Sequence, residues 1–372
     1  MNLKILFPLI ATLFFAMLHY LTYTRVVNHL HIKPQTRTML KYFLIINMAG
    51  IIGYLSSRYF FSPPITLYYL FSLTIGVGFV LFMGTILYEF LHLLQRLVPF
   101  SPEKRMFFKR SSDLGFLALG SSYLGAALLE GSQEPVVNFI DVNQSRFGSK
   151  SYRIVQISDM HIGGLIDRSF VAKSVAAINH LNPDIIAITG DLSDAHVDVI
   201  KEAINELSHL KSRYGTYYVV GNHEYFHSLE ATIAHLKTLG IHVLENSSVP
   251  IEDDFYIVGV NDLFGYRANT HAPNITKATK GIPEGIPTLL LAHQPKYIEY
   301  LEGFTPSLML SGHTHGGQIW PFKYLVSLAQ PYIKGLYPLG YNRHIYVNSG
   351  IGFWGPPMRL GAQAEITCIT WS

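Results

Sequence analysis

The sequence contains a single cysteine, Cys368, among its 372 residues. One thiol excludes an internal disulfide and a cysteine-based zinc site, and it gives no indication of the redox compartment. Because Cys368 lies in a β-branched run, we expect it to be a small residue of the core.

A long basic run interleaved with aromatic residues is also missing, and the formal net charge of +3 is small. We therefore expect no nucleic-acid partner. The chain has no internal repeat and no low-complexity tract. The sequence leaves the oligomeric state open.

The first third of the chain has few acidic residues and is rich in apolar ones. Apolar stretches occur at 5–23, 39–55, 65–88 and 114–129. A membrane-spanning helix needs about 20 largely apolar residues. We therefore predict an all-α transmembrane region of about four helices over residues 1–130, in which the first stretch is an uncleaved anchor. We expect no buried charge pairs in these spans, which disfavours a transporter or channel.

Basic residues are unequally distributed between the predicted loops. They follow the first and third spans, whereas the N-terminus and the second loop carry only Lys4 and Arg58. The basic residues of the first and third loops are Arg25, Lys33, Arg37, Lys41, Arg96, Lys104, Arg105, Lys109 and Arg110. Since positive loops stay cytoplasmic, we predict a multi-pass protein of the cell (inner) membrane whose catalytic half is extracytoplasmic. If one of the shorter spans is false, that half lies inside.

The remaining chain has a mixed, globular composition. Residues 131–150 are polar and predict a linker with one short strand at 136–142. In residues 151–372, β-branched runs alternate with amphipathic helical patterns, which indicates an α/β domain. The later strands have fewer helices between them, which suggests a second sheet packed on the first.

Polar side chains follow the strands of this predicted domain. They lie just past the carboxyl ends of strands, where open α/β sheets gather their functional sites. The residues are Asp159, His161, Asp191, Asn222, His223, His293, His313 and His315.

The donor types in this set suit two divalent metal ions. Asp191 offers two oxygens and can bridge two cations, and a mixed nitrogen and oxygen set without thiolate favours Mn, Fe, Zn or Co. Such a pair lowers the pKa of a bridging water. His223 is placed to donate a proton to a leaving oxygen or to stabilise charge on the phosphoryl group, and Asp194 is expected to orient a nearby histidine.

These motifs resemble those of the calcineurin-like metallophosphoesterase family. The matching segments are Asp159-x-His161, Gly190-Asp191-x-x-Asp194, Gly221-Asn222-His223-Glu224, His293 and Gly312-His313-Thr314-His315. The resemblance covers residues 152–372 and implies a four-layer α/β/β/α sandwich. It also implies one metal at Asp159, His161, Asp191 and His315, a second at Asp191, Asn222, His293 and His313, and a catalytic role for His223.

Two further segments, Gly316-Gly317-Gln318 and Asn348-Ser349-Gly350-Ile351-Gly352, are similar to those of the membrane-associated bacterial branch. That branch includes predicted phosphodiesterases and the diacylglucosamine pyrophosphatases of lipid A synthesis. Glu224 stands where many members carry Asp. Because this residue is not a ligand, we expect no loss of function.

The resulting hypothesis is a metal-dependent hydrolase that cleaves a phosphodiester or phosphomonoester with a hydroxide activated by two metals. The membrane anchor favours a phosphorylated small-molecule or lipid substrate at the bilayer. A pyrophosphatase acting on a nucleotide-linked lipid precursor and a non-catalytic scaffold are the alternatives. Aromatic residues after His315 either line an entrance for a lipid or are ordinary loop packing. They are Trp320, Phe322, Tyr324, Tyr332, Tyr337, Tyr341 and Trp354.

Overall fold

The computed structural model describes residues 3–57, 60, 61, 63–97 and 101–372. The chain divides into two compact units. The first is Met1–Ser132 with Gly355–Met358, and the second is Gln133–Trp354 with Arg359–Ser372. Arg58 lies outside the described residues, as do the side chains of Lys4 and Arg96. The domain boundaries at residues 130 and 150 stay a prediction.

The first unit contains four long helices whose length and composition suit membrane spans, as predicted. They are α1 (Leu3–Leu21), α2 (Pro34–Ser57), α3 (Ile65–Leu97) and α4 (Pro102–Gly131). The helices extend beyond the apolar stretches, so that the predicted loop residues Lys104 and Lys109 lie on α4. This helix begins early because Ser101 caps its N-terminus and Pro102 occupies its first position.

One charge pair lies on α4 just before the fourth apolar stretch, outside the residues for which no buried charge pair is expected. Asp113 on α4 is 3% exposed, and the Nζ of Lys109 lies 3.4 Å from its carboxylate. The carboxylate also accepts hydrogen bonds from the Tyr88 hydroxyl (3.0 Å) and the His31 backbone N–H (2.8 Å). Asp113 directly precedes the apolar stretch, so the sequence pattern alone places it at a polar flank.

The second unit is built on two six-stranded sheets. The first has the order β1-β12-β2-β3-β4-β5, and its strands β2 to β5 are parallel. Its strands are β1 (Val136–Val142), β2 (Tyr152–Ile157), β3 (Ile185–Thr189), β4 (Thr216–Val219), β5 (His242–Val243) and β12 (Glu365–Trp371). Strand β1 therefore forms from residues of the predicted linker, and it pairs in parallel with β12.

The second sheet has the order β10-β11-β9-β8-β7-β6, with a parallel centre and antiparallel edge pairs. Its strands are β6 (Ser247–Ile251), β7 (Phe255–Gly259), β8 (Thr288–Leu291), β9 (Leu308–Ser311), β10 (Gly335–Gly340) and β11 (Arg343–Val347).

Short and medium helices connect these strands. They are α5 (Arg168–His180), α6 (Val197–Asn205), α7 (Asn222–His227), α8 (Leu229–Thr238), α9 (Phe264–Ala268), α10 (Ile275–Ala278) and α11 (Lys323–Val326).

Alternation along the strands sorts the apolar side chains into three layers of core. In β3, Ile185 faces the second sheet, where it joins a cluster with Ile257 and Leu289. The neighbouring Ile186 faces α5, α6 and α8. On the far side of the second sheet, Leu290 packs in a cluster with α10. Helices therefore cover both outer faces, which confirms the four-layer α/β/β/α sandwich.

Candidate metal centre

The predicted ligands lie at one edge of the two sheets, because the carboxyl ends of parallel strands meet there. Asp159 and His161 follow β2, and their backbone N–H groups donate to the carbonyls of Gly190 and Asp191, each at 3.0 Å. This ladder joins the loop after β2 to the loop after β3. His293 and His313 follow β8 and β9 in the second sheet.

Backbone strain is concentrated in these loops. Five of the predicted ligands have φ between +48° and +70°, a region that non-glycine residues rarely adopt. They are Asp159, His161, Asp191, His313 and His315. Such strain is typical of functional sites, where the surrounding fold imposes it.

One buried cluster consists of Asp159, His161 and His315, which could hold a metal ion. The Nε2 atoms of the two imidazoles are 3.0 Å apart, and that of His315 is 3.5 Å from the Asp159 carboxylate. Two nitrogens bound at about 2.1 Å to one cation at a right angle lie about 3 Å apart. The donor spacing therefore fits a divalent cation.

A second buried cluster consists of Asp191, His293 and His313. The Nε2 atom of His293 lies 3.2 Å from three other potential ligand atoms, which are Asp191 Oδ2, Asn222 Oδ1 and His313 Nδ1. The Nδ1 atom of His293 lies 2.8 Å from the Thr189 carbonyl. Because a carbonyl only accepts, Nδ1 carries the proton.

The Nε2 atom of His293 therefore faces carboxylate and amide oxygens; burial disfavours the charged ring, but the Asp191 carboxylate outweighs burial and raises the pKa of His293 well above its usual range. Oxygen lone pairs that converge in a buried space need a positive charge, which a proton on Nε2 or a bound cation supplies. The donor set at this second cluster therefore also fits a divalent cation.

The protonation of three of these groups suits metal binding, whereas burial raises the pKa of Asp159 and the Asp191 carboxylate raises that of His293. Burial, followed by the charge of His293, lowers the pKa of His313 to about 3. Burial and the charge of His161 hold the pKa of His315 well below its usual range. Burial favours neutral Asp191, but the charges of His293 and His223 outweigh burial and hold its pKa well below the usual range. Neutral imidazoles and an ionised carboxylate are the forms that bind metals.

His223 and Asp194 lie beside the clusters. One carboxylate oxygen of Asp194 accepts hydrogen bonds from His161 Nδ1 at 2.9 Å and His223 Nδ1 at 2.5 Å. Burial alone would raise the pKa of Asp194, but the charges of both histidines hold it well below its usual range. The Nε2 atom of His223 is 3.9 Å from the nearer Asp191 oxygen. Asp194 therefore fixes the ring orientation of both histidines.

Comparison with known proteins identifies the family. A model described as calcineurin-like phosphoesterase matches residues 152–317. A metallophosphoesterase of Helicobacter pylori is 35% identical over 358 residues, which cover 95% of both chains. The chain belongs to the calcineurin-like metallophosphoesterase family. A metallophosphoesterase of Campylobacter jejuni is 30% identical over 374 residues, 98% of both chains. The Bos taurus "Transmembrane protein with metallophosphoesterase domain" is 38% identical over 259 residues, which cover 64% of this chain and 58% of the relative.

These relatives confirm the predicted family and reaction class: the protein is a metal-dependent phosphoesterase. The clustered histidines and aspartates indicate its divalent metal site. The candidate spans and the transmembrane relative indicate that this metallophosphoesterase associates with a membrane.

Glu224 has a structural function in the metallophosphoesterase that the sequence did not reveal. Its buried Oε1 accepts from the backbone N–H groups of Leu192 (2.8 Å) and Ser193 (3.0 Å), and its Oε2 from that of Gly221 (2.7 Å). One side chain thereby joins the loop that carries Asp191 to the N-terminus of α7. Only the position of Glu224 directly after His223 could have suggested it.

Arg359 is the second residue that sequence reasoning missed. Its guanidinium is 1% exposed and donates to the carbonyls of Ser349 (3.0 Å), Gly350 (3.1 Å) and Ala362 (2.6 Å). The same loop donates from Gly352 N–H to the Asp159 carbonyl at 3.1 Å. Arg359 therefore supports the backbone behind a predicted ligand. These three acceptors are backbone groups, so the sequence carries no signal for these contacts.

Two glycines allow the ligand loops to approach each other. A Cβ atom at Gly221 would clash with the backbone and carboxylate of Asp191, and one at Gly312 would clash with Ser158 and Asp159. Glycine is therefore required at both positions by close packing around the metal site.

Proposed function

We propose that this metallophosphoesterase uses two divalent cations to hydrolyse an organic phosphoester. The first would be held by Asp159, His161, Asp191 and His315, and the second by Asp191, Asn222, His293 and His313. The observation that supports this is the convergence of lone-pair donors in two adjacent buried clusters. Two bound cations would polarise the phosphoryl oxygens and lower the pKa of an attacking water.

His223 is the proposed general acid. Its Nδ1 donates to Asp194, which makes Nε2 the atom that would deliver a proton to the leaving oxygen. His223 forms a third potential metal-binding group with His161 and Asp194. However, Asp194 accepts from the Nδ1 atoms of both histidines, and the Nε2 atom of His223, 3.9 Å from Asp191, lies where it would contact a bound substrate. Proton donation of this kind contributes about 10²–10⁴-fold to a rate.

The surroundings of His223 favour a substrate with an apolar leaving group. The rings of Phe226 and Trp354 lie 5.5 and 6.4 Å from the imidazole, both edge-on. Both rings are about half exposed, at 53% and 48%. Exposed aromatic surface next to the proposed acid supports an envelope or lipid-linked phosphodiester or phosphomonoester, because such rings gain free energy by covering apolar atoms.

The test is hydrolysis by the full chain, supplied in turn with Mn, Fe, Zn and Co. The panel contains phosphomonoesters, phosphodiesters, nucleotide sugars and lipid phosphates. We expect turnover of an organic phosphoester, with two metal ions per chain by elemental analysis. Cleavage confined to nucleotide-linked pyrophosphates would favour the pyrophosphatase alternative. Full activity in chelator with no bound metal would contradict the proposal.

Asn222→Ala tests the second cation directly. Removing the amide oxygen takes one ligand from the second cation. We therefore expect one metal ion per chain and turnover lower by about 10²-fold or more. Asn205→Ala, on the exposed face of α6, is the matched control and should keep both ions. Two retained ions in the Asn222 variant would remove this residue from the ligand set.

We also propose that the chain is a multi-pass protein of the cell (inner) membrane with the catalytic domain outside the cytoplasm. The basic residues between the first and second apolar stretches, and between the third and fourth, support this orientation. A reporter that is active only outside the cytoplasm, fused after Ser372, should be active. Activity of a cytoplasmic reporter at the same position, with the first one silent, would reverse the orientation.

A further inference from the structure

A short segment of the catalytic unit exposes several large apolar side chains. It comprises residues 320–328 and follows the loop that carries His315. The exposed fractions are 51% for Trp320, 60% for Tyr324, 52% for Leu325 and 83% for Leu328. The helix in this segment, α11, has no buried residue. The side chains that would normally face a core thus face outward.

The helical geometry places these side chains together. Backbone hydrogen bonds from Val326 to Phe322 and from Ser327 to Lys323 close successive helical turns. Residues three and four apart share a face of a helix, so Leu328 lies beside both Tyr324 and Leu325. Trp320 precedes the helix at its N-terminal end. Together they form one apolar ridge, which a bilayer or another apolar surface could cover.

The charged residues of the chain segment that contains the ridge are all basic. The sequence has no acidic residue between Glu302 and Glu365, whereas Lys323, Lys334 and Arg343 fall in that interval. Lys323 lies within the ridge, with its Nζ 5.2 Å from the Tyr324 ring centroid. Tryptophan and tyrosine with lysine and arginine are enriched where a protein meets lipid headgroups, and basic residues are attracted to anionic lipids.

We propose that the 320–328 segment lies in the interface of a bilayer containing anionic lipid. Trp320 and Tyr324 would sit among the headgroups, with Leu325 and Leu328 towards the acyl chains. The four helices able to span a membrane keep the chain at a bilayer, so the segment needs only modest affinity to bind lipid. The proposal does not depend on the metal chemistry, because it concerns the position of a surface.

The test is spin labelling of Leu328→Cys in the full chain, reconstituted in vesicles of phosphatidylcholine and phosphatidylglycerol. Labelling is specific because Cys368, the chain's own thiol, is buried. The control is Val199→Cys, on α6, whose side chain is 79% exposed. Collision rates are measured with oxygen, which partitions into lipid, and with a water-soluble nickel complex present on both sides of the vesicles.

We expect the label at residue 328 to favour oxygen over nickel by about tenfold relative to the label at residue 199, since apolar depth excludes the polar complex. In the same vesicles, the collision rates of the label at residue 199 give the value for a side chain in water. Equal nickel access at both positions would overturn the proposal. So would dipolar broadening between labels at residue 328, because that result assigns the ridge to contact with a second copy of the chain.

Discussion

At the scale of single residues, Asp194 contacts both a proposed metal ligand and the proposed general acid. One carboxylate oxygen orients both His161, a proposed ligand, and His223, the proposed acid. A change at Asp194 therefore disturbs both functions, whereas a change at His223 separates them.

His223→Asn is the substitution that makes this separation. We expect hydrolysis of an alkyl phosphoester to fall by about 10²–10⁴-fold, since the leaving alkoxide loses its proton donor. An aryl ester with an acidic phenol should lose much less, because its leaving group needs little protonation. Steady-state kinetics on both esters, together with elemental analysis, measure the effect. The metal content should remain that of the unmodified chain.

His180→Ala, at the exposed end of α5, is the matched control and should leave both rates unchanged. An equal loss of rate on alkyl and aryl esters, or a loss of bound metal, would show that His223 is a metal ligand instead.

At the scale of elements, Glu224 couples the loop after β3 to the N-terminus of α7. Glu224→Gln replaces one acceptor oxygen by an amide NH2 group, which then faces backbone N–H groups. We expect metal affinity to fall by about tenfold. A buried N–H group without an acceptor costs about 1–3 kcal/mol, and the metal-bound conformation would contain such a group. Competition with a chelating dye measures the affinity, and excess metal should restore most of the turnover.

Glu202→Gln, an exposed change on α6, controls for the loss of one negative charge. A Glu224 variant with unchanged metal affinity would show that the hydrogen bonds of Glu224 contribute to stability alone.

The helices and strands that can be predicted from the sequence are those with a characteristic pattern within their own residues. All five residues of β3 are buried, and β-branched runs of this kind predict strands well. The edge strands β6 and β10 have a weak sequence signal because Pro250 and Pro338 interrupt their patterns. Strand β12 coincides with the β-branched run that contains Cys368. The fold class was therefore predictable, and the strand count was not.

The predicted ligands could be named because glycine, aspartate and histidine recur at fixed positions after strands. The structure brings them together at one sheet edge. Glu224 and Arg359 could not be named, since their partners are backbone groups supplied by the folded chain. Asp113 could not be named either, because two of its partners, the Tyr88 hydroxyl and the His31 N–H, come from α3 and from the segment before α2.

At the scale of the whole molecule, metal binding should stabilise the catalytic unit. Ligand that binds only the folded state stabilises it by about 2.7 kcal/mol at a hundredfold excess over Kd. We therefore expect chelation to lower the midpoint of thermal unfolding, followed by circular dichroism in detergent. Asn222→Ala should show a smaller shift than the unmodified chain. Identical midpoints with and without chelator would contradict the assignment of these buried clusters to metal.

The position of β12 has a consequence for biosynthesis. This strand lies between β1 and β2, and β1 hydrogen-bonds to it. Residues 136–142 leave the ribosome more than two hundred residues before residues 365–371, and they wait unpaired during that interval. The first sheet therefore closes only after its last strand has been made. A premature stop that removes β12 would leave an exposed β-strand edge, which makes such a fragment a substrate for membrane-associated quality-control proteases.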